Sequence, residues 1–149
     1  MLHLSPLTPP FSFLCSFLDG LFSTPLTDLN IRENEIGDEG AKAIADALRV
    51  NGALTELDLS NNQLCGITSG GEGTYTAEGI NAIGDALRVN GALTSLGLDH
   101  NELGAEGAQA IAGALHVNGA LTSLNLSYND IGGHWQGDWG SDGRRCRVY

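Results

Sequence analysis

Residues 54–62 read LTELDLSNN, and this nonapeptide decides the fold. Apolar and polar residues alternate through Leu57, Asp58, Leu59 and Ser60, the two-residue period of a strand that buries one face. The string returns as LTDLNIREN from Leu26, LTSLGLDHN from Leu93 and LTSLNLSYN from Leu121. The shared pattern is L-x-x-L-x-[IL]-x-x-N, followed by an apolar residue at Ile36, Leu64, Leu103 and Ile131. Successive starts lie 28, 39 and 28 residues apart. Self-similarity at a nearly fixed period marks a repeat architecture, here with one insertion.

Outward from that strand, each complete unit continues as E-G-[AI]-x-A-I-[AG]-x-A-L-x-V-N-G-A, over residues 39–53, 78–92 and 106–120. This half has helical period. In the first copy Ala41, Ile44, Ala45 and Leu48 share a face, while Lys42, Asp46 and Arg49 point away from it. Alanine on the buried side lets the helix lie close to the strand layer. Each helix ends at an Asn-Gly pair (Asn51-Gly52, Asn90-Gly91, Asn118-Gly119), where a left-handed Asn or Gly is expected to reverse the chain. One strand and one helix cannot bury both the Leu57/Leu59 set and the Ile44/Leu48 set alone, so stacked neighbours must close a continuous core. Asn34, Asn62, Asn101 and Asn129 fall at the turn leaving each strand. Their amides are expected to satisfy backbone groups that a non-helical turn leaves unpaired.

Over residues 26–132 this pattern resembles the leucine-rich repeat family, specifically the 28-residue subtype of ribonuclease inhibitors, NOD-like receptors and Ran GTPase-activating proteins. The resemblance implies an α/β fold, a right-handed solenoid forming a short horseshoe arc, with parallel strands concave and helices convex. The units are residues 26–53, 54–92 with the insertion, 93–120 and a partial 121–132. The resemblance further implies a concave surface lined by the non-leucine strand positions. These are Asp28, Asn30 and Arg32; Glu56, Asp58 and Ser60; Ser95, Gly97 and Asp99; Ser123, Asn125 and Ser127. Glu33, Asn61, His100 and Tyr128 follow at the rim.

Five acids on this face, Asp28, Glu33, Glu56, Asp58 and Asp99, stand against one base, Arg32, which favours a protein partner with a basic surface. The plainer alternative is a solvated polar face in an acidic chain. Four strands ~4.8 Å apart and ~17 Å long offer on the order of 300 Å². A standard interface buries ~800 Å² per partner, so the strip needs help from the insertion, the rims or further repeats.

The insertion adds eleven residues between Leu64 and Glu78, around CGITSGGEGTYTA. Its glycines predict flexibility, and it lacks the Gly-Lys-Ser/Thr ending of a phosphate cradle. It reads either as a tolerated surface insertion or as a contact loop with Tyr75 as anchor and Ile67 beside it.

Composition narrows the function classes. At 149 residues the chain is about one domain. Seven Lys and Arg against eighteen Asp and Glu give a net charge of -11, which repels the phosphate backbone of nucleic acid. Cys15, Cys65 and Cys146 contain no C-x-x-C pair, and His3, His100, His116 and His134 have no metal-ligand spacing, so neither a disulfide framework nor a metal is expected. A reducing, cytoplasmic compartment fits. The rival is a secretory signal in the apolar stretch 11–22, but nothing before it is Lys or Arg, and Pro6, Pro9 and Pro10 interrupt it. Leu14, Phe17, Leu18, Leu21 and Phe22 instead share a helical spacing suited to a capping helix within residues 1–25.

No apolar run reaches the ~18 residues of a membrane span. Residues 133–149 form a Gly-rich tail expected to be disordered, and both ends read as those of a fragment of a longer repeat protein. No convergent acid, base and nucleophile can be assembled, so neither enzyme activity nor a cofactor is expected. The leading expectation is therefore a protein-interaction scaffold. By resemblance the alternatives are a GTPase-activating regulator and a ligand-sensing fragment of a NOD-like receptor.

Overall fold

The structure, a computed structural model, describes residues 25–68 and 71–132. The expected capping helix before residue 25 and the tail after residue 132 lie outside the described residues. In chain order the elements are β1 (Asp28–Asn30), α1 (Gly37–Val50), β2 (Glu56–Asp58), α2 (Glu78–Val89), β3 (Ser95–Gly97), α3 (Gly104–Leu115) and β4 (Ser123–Asn125). The strands form one parallel sheet in the order β1-β2-β3-β4. The register sets Leu29 against Leu57, Leu57 against Leu96 and Leu96 against Leu124, a single leucine column. Leu57, Leu59, Leu96 and Leu98 from the sheet join Ile80, Ile83, Leu87 and Ile111 from the helices in one core. At the two ends of the column Leu29 and Leu124 are only partly buried.

Each strand is three residues, about 10 Å, shorter than the ~17 Å expected from average strands. The backbone bonding between units nonetheless runs past these spans as far as the turn: the N–H groups of Ile31 and Glu33 donate to the Asp58 and Ser60 carbonyls (3.0 Å each), and those of Leu59 and Asn61 to Gly97 and Asp99 (2.9 Å each). Glu33, Asn61, His100 and Tyr128 all have positive φ, and so do Glu35, Gln63, Glu102 and Asp130 two positions later. A left-handed residue cannot continue a strand, so the ladder gives way to side-chain bonding. Asn62 accepts the Asn34 N–H on Oδ1 (2.8 Å) and donates Nδ2 to the carbonyls of Ile31 (2.9 Å) and Leu59 (3.0 Å). Asn101 repeats this with the Asn62 N–H (2.9 Å) and the carbonyls of Leu59 and Leu98 (both 3.0 Å). Asn129 does the same with the Asn101 N–H (2.8 Å) and the Leu98 carbonyl (2.8 Å). Asn34, at the start of the series, bonds its Nδ2 within its own turn, to Ile31 and Arg32.

Helix packing rests on small residues. A methyl group on Gly79 would come within 2.8 Å of both the Ala41 Cβ and the Asp38 carbonyl oxygen, so α1 and α2 touch where glycine allows it. Asp38 Oδ1 accepts the Gly79 N–H (2.5 Å), so the first turn of α1 caps the start of α2 across the unit boundary. Lys42 ties that junction together, with Nζ at 2.9 Å from Asp38, 3.0 Å from Glu39 and 2.5 Å from Glu78. These three carboxylates raise the Lys42 ammonium above its ordinary pKa, the Glu78 bond first.

The helix stops differ from the sequence expectation. Asn51 and Asn90 are extended (φ -81 and -78, ψ 119), and the following Gly52 and Gly91 lack positive φ. The chain turns because the asparagine side chain folds forward: Asn51 Oδ1 accepts the N–H groups of Ala53 (2.9 Å) and Leu54 (2.8 Å). Asn90 and Asn118 make the same turn.

The described part of the insertion is also more tied down than its glycines predict. Ile67 pairs with Gly73 in an antiparallel bridge, and the Thr68 N–H donates to the Glu72 carbonyl (2.8 Å). Tyr75 donates its hydroxyl to the Leu103 carbonyl (2.8 Å), fastening the loop to the next unit. Among the described residues no helix is long and apolar enough to cross a membrane.

Candidate functional site on the outer sheet face

Because strand side chains alternate, the partners of the leucine column all project from the other face of the sheet. There Asp28, Asn30, Arg32, Glu56, Asp58, Ser60, Ser95, Asp99 and Asn125 line one shallow hollow of about 350 Å³. Gly97, Leu57 and Leu96 complete it. Ser123, Ser127, His100 and Tyr128 lie outside the hollow. Gly97 is the opening: a Cβ there would sit 2.7 Å from Asp58 Oδ1 and 3.1 Å from Ser60 Oγ.

The centre of the hollow is an ordered polar network. Ser60 is 1 % exposed, and its Oγ lies 2.5 Å from Asp58 Oδ1 and 2.5 Å from Asp99 Oδ1. Ser60 therefore sits between the two acids, and its burial removes it as a contact surface. Asn125 donates Nδ2 to Asp99 Oδ1 (2.8 Å), and Asn30 donates to Asp58 Oδ2 (3.4 Å). One hydroxyl carries one hydrogen, so it can donate to only one of the two carboxylates that converge on it. Burial alone would raise the Asp99 carboxyl, but hydrogen bonds from Ser60 and His100 outweigh it and hold the group below its ordinary value.

The rest of the face is open. Asp28 and Glu56 are exposed and form no side-chain hydrogen bond among the described residues. Arg32 leans on Glu33 (3.6 Å) and Asp58 (3.9 Å), both weak, half-exposed pairs. At the rim His100 approaches Asp99 (3.1 Å) and stacks on Tyr128, with ring centroids 4.2 Å apart and planes at 19°. Nothing in the repeat pattern foretold that stack, since His100 and Tyr128 hold the same turn position in neighbouring units. Tyr75 is half engaged, its hydroxyl spent on Leu103 while the residue stays 40 % exposed, and Ile67 is partly buried.

Cys65 is fully buried, and burial, reinforced by Asp38, Glu102 and Glu106, pushes its thiol up to about 12. A thiol in that state is not a nucleophile near neutral pH. Among the described residues no group of three His, Cys, Asp or Glu side chains is placed to hold a metal.

Comparison with known proteins agrees with this geometry at the level of the fold. Family models described as leucine-rich repeat match residues 22–45, 92–112 and 120–133, and residues 53–72. No curated protein matches the chain. A solved structure described as "Leiomodin-1 Actin-Binding Site 2 (ABS2)" superposes with a TM-score of 0.57 at 24 % identity. The match covers 80 % of this chain and 64 % of that one, so the chain spans under two thirds of its neighbour's length. With repeat matches over more than half of its residues, the chain belongs to the leucine-rich repeat family.

Proposed function

We propose that this protein is a binding scaffold whose outer sheet face, the concave side of the expected solenoid, receives a basic segment of another protein in a cytoplasmic setting. The observation that carries the reading is the hollow over β1, β2 and β3, where Asp28, Glu56, Asp58 and Asp99 line one surface. Asp58 and Asp99 are fixed in place by Ser60, Asn30 and Asn125, so a cationic group meets acids already oriented, with little ordering left to do. Exposed Asp28 and Glu56 extend the attraction outward and speed the encounter.

The strip is narrow, so the rim contributes through the His100–Tyr128 stack, and the insertion loop through the half-exposed Tyr75 with Ile67 beside it. The solved neighbour, named for an actin-binding site, has the same fold in a protein-binding setting. A GTPase-activating role is less favoured, because Arg49 and Arg88 lie on the outer helices beside Asp46 and Asp85, and Arg32 rests against acids.

The test is charge reversal where the fold is indifferent. Asp28→Lys/Glu56→Lys replaces two exposed acids that form no side-chain bond, so the repeat core stays intact. Captured basic proteins should fall away from the variant in a quantitative pull-down. If the same proteins are recovered in the same amounts, this face is not the binding surface.

A further inference from the structure

The three helix stops share one tetrapeptide, Val-Asn-Gly-Ala, at residues 50–53, 89–92 and 117–120. In an unfolded chain, three identical sequences have equal local chemistry. The fold gives them different surroundings. In each, Oδ1 of the asparagine accepts two backbone N–H groups, which folds the side-chain amide back over the following glycine and polarises its Cγ carbonyl. No hydrogen bond among the described residues holds the N–H of Gly52, Gly91 or Gly119. The three sites thus start alike in their side-chain bonds, and at Asn51 and Asn90 a ψ of 119 turns the glycine nitrogen away from Cγ, so the chain must rotate about ψ before attack.

The leaving nitrogen is where they part. Asn90 is 5 % exposed, and its Nδ2 donates to the carbonyls of Leu48 (2.7 Å) and Asn51 (3.0 Å) in the preceding unit. Asn118 is partly buried and donates to Leu87 (2.6 Å) and Asn90 (3.0 Å). Asn51 is exposed, and no carbonyl among the described residues accepts from its Nδ2. We propose that Asn51 is a site of spontaneous deamidation, selected among three identical Asn-Gly sequences because the preceding units lock the amides of Asn90 and Asn118, whereas Asn51 is exposed and its Nδ2 has no acceptor among the described residues.

The chemistry closes with water alone. The Gly52 nitrogen attacks Asn51 Cγ and gives up its proton to solvent, the Cγ–Nδ2 bond breaks, and that nitrogen takes a proton from water and leaves as ammonia. The cyclic imide then adds one water across either carbonyl, giving aspartate or isoaspartate and a net exchange of amide for carboxylate. Burial at Asn90 and Asn118 denies the departing nitrogen its proton, and the two bonds it donates resist the pyramidal geometry it must adopt. At Asn51 the product places a negative charge at the C-terminal end of α1, where the helix dipole disfavours it. The Asn51 carbonyl also receives the Asn90 bond, so the change falls on the first latch between units.

The test is to incubate the full chain in mildly alkaline, isotopically labelled water, native and in urea, then digest it and locate the label by tandem mass spectrometry. In the native chain Asn51 should convert about ten-fold faster than Asn90 or Asn118, since those two react only from a locally opened state that has lost two hydrogen bonds. In urea the three rates should coincide. Gly52→Ala, for which there is open space around the new Cβ, should suppress conversion at Asn51 alone. Equal native rates, faster conversion at Asn90 or Asn118, an Asn51 that reacts only in urea, or no effect of Gly52→Ala would each overturn the proposal.

Discussion

Asp99 is the residue on which the outer face turns, because it is nearly buried, charged and bonded on both carboxylate oxygens. Its folded pKa lies below the ordinary value of 3.8, so its bonds stabilise the native state above that value, and the contribution is lost as acid titrates the folded carboxylate. Comparing Asp99→Asn with the parent chain should give a stability gap of about 1–2 kcal/mol near neutrality that narrows below pH ~4. Thermal melts across that range check it, and a gap that persists unchanged into acid would assign the effect to packing. Strand alternation needs only the two-residue period to set Asp99 on the face opposite the leucine column. Sequence could not foresee that Ser60 would be buried between two acids, because their meeting depends on the register of β2 against β3 and on Gly97 leaving the space. The strand-exit asparagines were legible for the opposite reason: one residue type at one turn in every unit has one backbone need to meet. The helix-end asparagines hid a second task behind the familiar Asn-Gly stop, as their Nδ2 groups act on the preceding unit.

Among the elements, the helices were the easiest to read: of the Ala41, Ile44, Ala45 and Leu48 face that periodicity selects, Ala41, Ala45 and Leu48 are buried and Ile44 is partly buried against the core. The left-handed turn that ends each run of inter-strand bonds was harder to read, since it falls on Asn61 and His100, types that favour it, but equally on Glu33 and Tyr128, which do not. The insertion escaped prediction likewise: counting glycines says nothing of a tyrosine that reaches a neighbouring unit's carbonyl. The α1–α2 contact makes a sharper prediction. Glycine within a helix ordinarily costs about 1 kcal/mol relative to alanine, so Gly79→Ala would stabilise an isolated α2. Here the added methyl meets Ala41 and the Asp38 carbonyl, and relieving such overpacking costs ~1–3 kcal/mol. The clash should win, leaving the variant about 1–2 kcal/mol less stable in urea denaturation. Gly52→Ala, with nothing nearby, should stay within ~0.5 kcal/mol of the parent.

At the scale of the whole molecule, stability is set by what each unit has on either side. β2 and β3 are paired along both edges, whereas β1 and β4 are each paired along one. The burial follows that order: Leu57 and Leu96 are 2 % and 1 % exposed, while Leu29 and Leu124 at the ends are only partly covered. The asparagine series departs from this at one end: Asn62, Asn101 and Asn129 are all buried and bond both to their own turn and to the unit before, while Asn34 alone is exposed. A stacked array of this kind gains its free energy from nearest-neighbour interfaces, so opening should begin in the units that have one neighbour among the described residues. Amide hydrogen exchange is therefore expected to be slowest at Leu57, Leu59, Leu96 and Leu98, and faster in β1 and β4. Leu96→Ala, which cuts the column at its centre, should cost ~2–5 kcal/mol and accelerate exchange on both sides of β3. Leu29→Ala should cost less and leave β3 protected. Uniform protection across all four strands would mean that the chain opens as one body, and that something beyond nearest-neighbour stacking holds its ends.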